Sequence, residues 1–179
     1  MDLAALGDLW FLPERMAITA YSARWLLPFA LPICLYVCFT DLREMRITNQ
    51  AVILLAAVFV VLGPIALPLP DYGWRLVQMV AVLIAGFTLN IGGALGAGDA
   101  KFAAAAAPYI AGGDIRYLVA IFAANLLAAF VTHRLAKYTP LRRIAPGWKS
   151  WDMGWKFPMG FSLGGTLAIY LLIGAFRGA

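Results

Sequence analysis

From Trp25 to Thr40 the chain reads WLLPFALPICLYVCFT, without a charge, and the next residue is Asp41. A helix needs roughly 20 apolar residues to cross a hydrocarbon core, so this run reads as a membrane span with a carboxylate at its rim. Pro28 and Pro32 lie inside it; a bilayer helix tolerates proline when neighbouring helices satisfy the freed carbonyls. Cys34 and Cys38 lack the CxxC spacing of a zinc knuckle or redox pair and read as small core residues.

Further uncharged or nearly uncharged runs follow at Ile47 to Pro70, Leu76 to Gly98, Phe102 to Gly113, Tyr117 to Thr132 and Phe157 to Phe176. The expected fold is all-α, a polytopic membrane helix bundle of about six transmembrane helices. The fourth run is short, so its helix is expected to take in Asp99 and Lys101 at its start. Composition agrees: of 179 residues 63% are hydrophobic and 13% charged, with a mean hydropathy of +0.83. Soluble domains carry about twice that share of charge. The length leaves room for a single integral membrane domain over 1–179 and no large soluble module.

The net charge of +5 does not indicate nucleic acid, because Lys and Arg stand between apolar runs. They report topology instead. Arg43, Arg46, Lys101, Arg134, Lys137, Arg142, Arg143, Lys149 and Lys156, nine in all, fall on one side; Arg15, Arg24, Arg75, Arg116 and Arg177, five in all, fall on the other. The positive-inside rule puts the first side in the cytoplasm. Residues 135–156 form a basic cytoplasmic loop with Pro140 and Pro146, in which Trp148, Trp151 and Trp155 are spaced to share one face of an interfacial helix. His133, beside this loop, is expected to be solvated. At the other end, 1–22 is expected to be an interfacial segment, with Trp10 and Phe11 at the headgroup boundary. Asp2, Asp8 and Glu14 leave it without the basic region of a secretory signal, so it is expected to be retained.

Acidic residues at membrane depth are functional candidates by default, and two qualify. Asp41 ends the first run; Asp99 lies between the third and fourth. Two crossings separate them, so both face the same side. Two carboxylates held close cannot both ionise and keep one shared proton. The ionised member takes a proton from an attacking water while the protonated member hydrogen-bonds the oxygen that becomes negative. That chemistry is peptide hydrolysis without cofactor or metal. With one histidine and no nucleophile elbow, the sequence offers no other set.

Around Asp99 the chain reads Gly96-Ala97-Gly98-Asp99-Ala100-Lys101, and from Asp41 it reads Asp41-Leu-Arg-Glu-Met-Arg-Ile47-Thr-Asn49. With a Pro158-Met-Gly160 element opening the last run, these motifs resemble the type IV prepilin peptidases, a branch of the GxGD aspartyl proteases, from about Trp25 onward. The resemblance implies that Asp41 and Asp99 are catalytic, and that Gly96, Gly98, Lys101, Asn49, Pro158 and Gly160 bind substrate or shape the site. Glycines at 96 and 98 remove bulk beside the carboxylate and permit positive φ. Lys101 either keeps the site electropositive or anchors its helix; Asn90 reads as interhelical glue. Thr48 departs from the proline usual in the family, which bears on the stiffness of that loop.

What the resemblance implies is a bacterial cytoplasmic-membrane endopeptidase that removes the leader of membrane-inserted prepilins and pseudopilins at the cytoplasmic face. No cysteine-bearing segment matches that of the bifunctional, methylating members. The chain therefore resembles the small peptidase-only members associated with tight-adherence (Flp-type) pili. The rival classes are a proton- or ion-coupled transporter subunit, which needs polar groups spread near the midplane, and a noncatalytic scaffold whose aspartates cap helices.

Overall fold

The computed structural model describes residues 15–154 and 156–179, and their regular structure is helical. Six α-helices follow in order: α1 Ala20–Glu44, α2 Asn49–Ala66, α3 Leu69–Ile91, α4 Ala97–Ala106, α5 Ile115–Tyr138 and α6 Met159–Arg177. All but α4 are long and apolar enough to cross a membrane, with the fifth span counted from Gly112. The helical membrane bundle expected from the sequence is present, with five such spans among the described residues where about six were expected.

The fourth element is short because Pro108 stops it. After ten residues α4 gives way to a 3-10 turn at Ala107–Tyr109, since proline cannot donate to the helical ladder. Carbonyls freed inside a bilayer need partners, and α3 supplies them. Gln78 Nε2 donates to Ala107 O at 2.9 Å and to Ile110 O at 3.4 Å, and Arg75 donates to Pro108 O at 3.3 Å. The chain thereby runs from the Asp99 end of the bundle to its other end. There the Asp114 carboxylate accepts from Ala17 N at 2.7 Å and Ile18 N at 2.9 Å, just ahead of α1.

Helix α3 begins at Leu69 and ends at Ile91, well short of Gly98. The intervening turn holds Gly93 at φ 73°, and Asn90 Nδ2 donates to Leu95 O at 2.8 Å. Asn90 therefore closes its own turn and is not the interhelical tie that the sequence suggested.

Small residues set the packing at the centre. A Cβ on Gly164 would lie 2.8 Å from Cys34 O, and one on Gly174 would lie 3.3 Å from Ala23 Cβ, so α1 and α6 touch closely along their length. Cys34 and Cys38 are buried there, as expected. The alanines of α4 act likewise: Ala100 leaves only 3.1 Å to a Cβ placed on Gly86 of α3.

Residues 135–138 of the expected basic loop belong to α5, and the described residues beyond them are docked on the bundle without forming an α-helix. Two 3-10 turns, Pro140–Ile144 and Lys149–Trp151, occupy the loop, and Pro140 and Pro146 keep it from forming an α-helix. Trp148 and Trp151 stack with centroids 5.6 Å apart, while Trp155 lies outside the described residues. Trp151 also stacks on His133 at 5.0 Å, with Phe157 edge-on at 5.8 Å. His133 is consequently buried, not solvated. It faces inward from the last turns of α5, beneath a loop that packs back on the bundle.

The expected interfacial segment at 1–22 lies outside the described residues for 1–14. Its described part leads into α1 beside the C-terminus, where Met16 N donates to Arg177 O at 3.1 Å.

Candidate active site

Asp41 sits in the last turns of α1, where the helix ends through an uncommon turn. Met45 adopts φ 56° and donates its N–H to Asp41 O at 2.9 Å. A left-handed residue without glycine's freedom is uncommon, and here it turns the chain sharply so that Ile47 folds back over the helix end. Thr48 then opens α2 by accepting from Ala51 N at 3.3 Å. Its hydroxyl caps the helix, so the residue that departs from the family pattern stiffens the turn by another route.

Helix α6 opens against the same place. Pro158 is its N-cap, buried and already at a dihedral that suits a helix start. The N–H of Gly160 donates to Asp41 Oδ2 at 2.6 Å. A helix N-terminus presents unpaired donors and a positive dipole end, so the element opening α6 orients this carboxylate.

Asp99 lies in the first turn of α4, partly open to solvent. Gly96 precedes it as the N-cap at φ −65°, and the positive-φ glycines among the described residues are Gly93 and Gly154. The positive φ that the sequence suggested for Gly96 is thus not used, and Gly98 lies within the helix. What Gly96 provides is space, while Gly98 stands at ordinary contact distance from Ile47. A Cβ on Gly96 would lie 2.5 Å from Asp99 Oδ2, and one on Gly98 would lie 3.4 Å from Ile47 Cβ. On Gly160 it would lie 2.8 Å from Ile47 Cγ1 and 3.0 Å from Asp41 Oδ2. Ile47 thus packs tightly on Gly160, where a side chain has no room.

Asp41 and Asp99 line one open cleft of about 730 Å³ at this end of the bundle. Gly96, Gly98, Asn49 and Lys101 line it with them, and Gly160 reaches it through Asp41. Lys101 Nζ donates to Asn49 Oδ1 at 3.2 Å, so the two motifs are tied directly. Arg46, Lys156, Phe157 and Met159 also stand in its wall, beside residues of the turn from Met45 to Gln50. Lys156 and Phe157 were not singled out from the sequence; the one available signal is their position directly before Pro158. Glu44 is engaged by Arg43 at 3.9 Å and Arg46 at 3.7 Å, outside the cleft. Among the described residues no group of three or more His, Cys, Asp or Glu is placed to hold a metal ion.

The described acids sit at the ends of the helices. Asp41 and Asp99 share one end and Asp114 holds the other, with no Asp or Glu of the described residues between them.

A model of the type IV leader peptidase family matches residues 29–133, more than half of the chain and a stretch that holds both aspartates. Comparison with curated proteins and with solved structures gives no match. The chain belongs to the type IV leader peptidase family, and its activity is in general terms that of an aspartic-type prepilin peptidase of a membrane.

Proposed function

We propose that Asp41 and Asp99 form the catalytic dyad of an endopeptidase that cleaves prepilin and pseudopilin leaders at the cytoplasmic face of a bacterial inner membrane. The observation that carries this reading is their presence in one open cleft, on the ends of two helices that two intervening crossings return to the same end of the bundle. Close carboxylates share one proton. The ionised member accepts a proton from water as the water oxygen bonds to the scissile carbonyl carbon. The protonated member donates a hydrogen bond to the carbonyl oxygen as negative charge develops on it. Collapse of the tetrahedral intermediate breaks the C–N bond, and the amine leaves with a proton returned from the dyad.

Gly160 holds Asp41 in position through its N–H, and Gly96 leaves the space that the Asp99 carboxylate occupies. Asn49 and Lys101 fix α2 against α4. The cytoplasmic orientation rests on charge, because the cleft opens at the end carrying nine of the 14 basic residues. The absence of a segment like that of the methylating members favours a peptidase-only enzyme of the tight-adherence pilus type.

Co-expression with full-length prepilins of tight-adherence and other type IV pili tests this reading. Leader loss is expected for the wild type and is abolished in both Asp41→Asn and Asp99→Asn. Both variants are expected to stay folded and inserted: the substitution removes like-charge repulsion, and the asparagine oxygen at 41 can still accept from Gly160 N. Cleavage that persists in either inserted variant refutes the dyad.

A further inference from the structure

A second cavity, of about 270 Å³, opens on the side of the bundle between α3 and α5. Its floor is α4, through Phe102, Ala103 and Ala106, and α6, through Leu163 and Leu167. Gln78 and Val82 of α3 form one wall; Leu118, Val119 and Phe122 of α5 form the other. Helix α3 packs chiefly on α4, and α5 on α6, so the two walls stand apart and the groove faces the surrounding bilayer. The Gln78 amide turns inward to the carbonyls of Ala107 and Ile110, which leaves the groove surface apolar.

The groove is continuous in direction with the cleft. At 3.6 residues per turn, Ala103 and Ala106 lie four and seven residues after Asp99, on the same face of α4. On α6, Leu167 and Leu163 lead back along one face to Gly160, the donor to Asp41. The two helices that floor the groove therefore carry it to the two carboxylates.

We propose that this groove is the docking site for the hydrophobic helix of the substrate, which leaves the cleft after the scissile bond and descends between α3 and α5. The proposal rests on the dyad reading above. That reading requires a substrate whose cleavage point is joined to a membrane-inserted helix, and a cleft at the rim requires that helix to lie beside the enzyme. Between apolar helices in lipid, association comes from close van der Waals contact at small residues and not from hydrophobic transfer. Ala103 and Ala106 supply a floor that a helix can approach. The cavity takes several side chains of such a helix while its backbone stays at the lipid boundary.

The test compares two substrates in proteoliposomes: a full-length prepilin, and a water-soluble peptide that covers the same scissile bond but stops before the hydrophobic helix. Ala103→Phe fills the groove one turn from Asp99, Val119→Trp fills it from the outer wall, and Ile84→Phe, on a lipid-exposed face of α3, is the control. Val119→Trp and Ala103→Phe are expected to lower kcat/KM for the prepilin about tenfold, chiefly through KM. Peptide cleavage and the Ile84→Phe control are expected to stay within about twofold of wild type. A photo-crosslinker at 119, and not at 84, is expected to capture the prepilin helix. Equal loss on both substrates, or undiminished prepilin cleavage with only lipid crosslinked at 119, overturns the docking site. A wild-type enzyme that cleaves neither substrate counts instead against the dyad reading.

Discussion

Gly160 N donates to Asp41 Oδ2 at 2.6 Å across 119 positions of sequence, joining the last turns of α1 to the first turn of α6. The same glycine faces Ile47, and a Cβ there would meet Ile47 Cγ1 at 2.8 Å and Cδ1 at 2.9 Å. One position thus governs both the orientation of a carboxylate and the fit of three elements.

Gly160→Ala is accordingly expected to be costly in two ways. Overpacking of a buried contact costs about 1–3 kcal/mol, measurable as a lowered midpoint of thermal unfolding in detergent. Displacement of the Asp41 carboxylate by a fraction of an ångström is expected to reduce prepilin cleavage by about tenfold or more, even well below that midpoint. An alanine variant with wild-type turnover would show that Gly160 does not position Asp41.

Gly96→Ala separates these two effects. The added methyl would lie 2.5 Å from Asp99 Oδ2, which is the free end of a side chain that can rotate away. Stability is therefore expected to change by less than about 0.5 kcal/mol, while cleavage falls at least about tenfold because the carboxylate leaves its place. Thermal unfolding and a cleavage assay on one preparation decide it; a large loss of stability with retained cleavage would contradict the assignment.

Lys101 and Asn49 are exposed, and their 3.2 Å hydrogen bond is expected to be worth about 0.5–1 kcal/mol. A double-mutant cycle of Lys101→Met and Asn49→Ala on cleavage measures that coupling. If Lys101 acts mainly as a tether, the two single variants should lose similar activity and the double little more. If it acts mainly through charge on the cleft, Lys101→Met should lose several-fold more than Asn49→Ala, and the loss should shrink as salt is raised.

Much of this was legible because membrane physics is written in long runs. Uncharged stretches located the helices, and counting crossings put Asp41 and Asp99 at one end without any distance. The third helix and the fourth were placed less well, since hydropathy does not distinguish helix from an apolar turn: residues 92–96 are uncharged yet hold the Gly93 turn, and Pro108 cuts α4 short within an alanine-rich run. His133 was misread for a related reason. It belongs to a charged stretch in sequence, but its surroundings are Trp151 and Phe157, residues brought over it by a loop whose path no periodicity announces. Gly96 and Gly98 were placed in the site by motif, yet the expected positive φ was not found; the need that Gly96 meets is room for the Asp99 carboxylate, which only three dimensions display. Asp114 left no signal at all, as an acid after two glycines resembles any loop residue.

Asp114 nonetheless holds the end of the bundle opposite the cleft. It is 1% exposed, and its two oxygens accept from Ala17 N at 2.7 Å, Ile18 N at 2.9 Å and Tyr170 Oη at 2.7 Å. Tyr170 Oη accepts in turn from Ala111 N at 3.0 Å. Asparagine in this position keeps one acceptor oxygen and turns an NH2 toward groups that are already donors, so a buried donor loses its partner at a cost of about 1–3 kcal/mol. Asp114→Asn is therefore expected to lower the unfolding midpoint distinctly. From Ala20 to Asp41 α1 spans roughly 30 Å, so cleavage measured well below the midpoint should stay within about twofold of wild type. Tyr170→Phe removes one donor from Asp114 and one acceptor from Ala111 N, and its smaller expected effect distinguishes the carboxylate from general disturbance of the cluster. If Asp114→Asn instead abolished cleavage in a protein that still melts cooperatively near the wild-type midpoint, the two ends would have to be coupled, and Asp114 would belong to the chemistry and not to the scaffold.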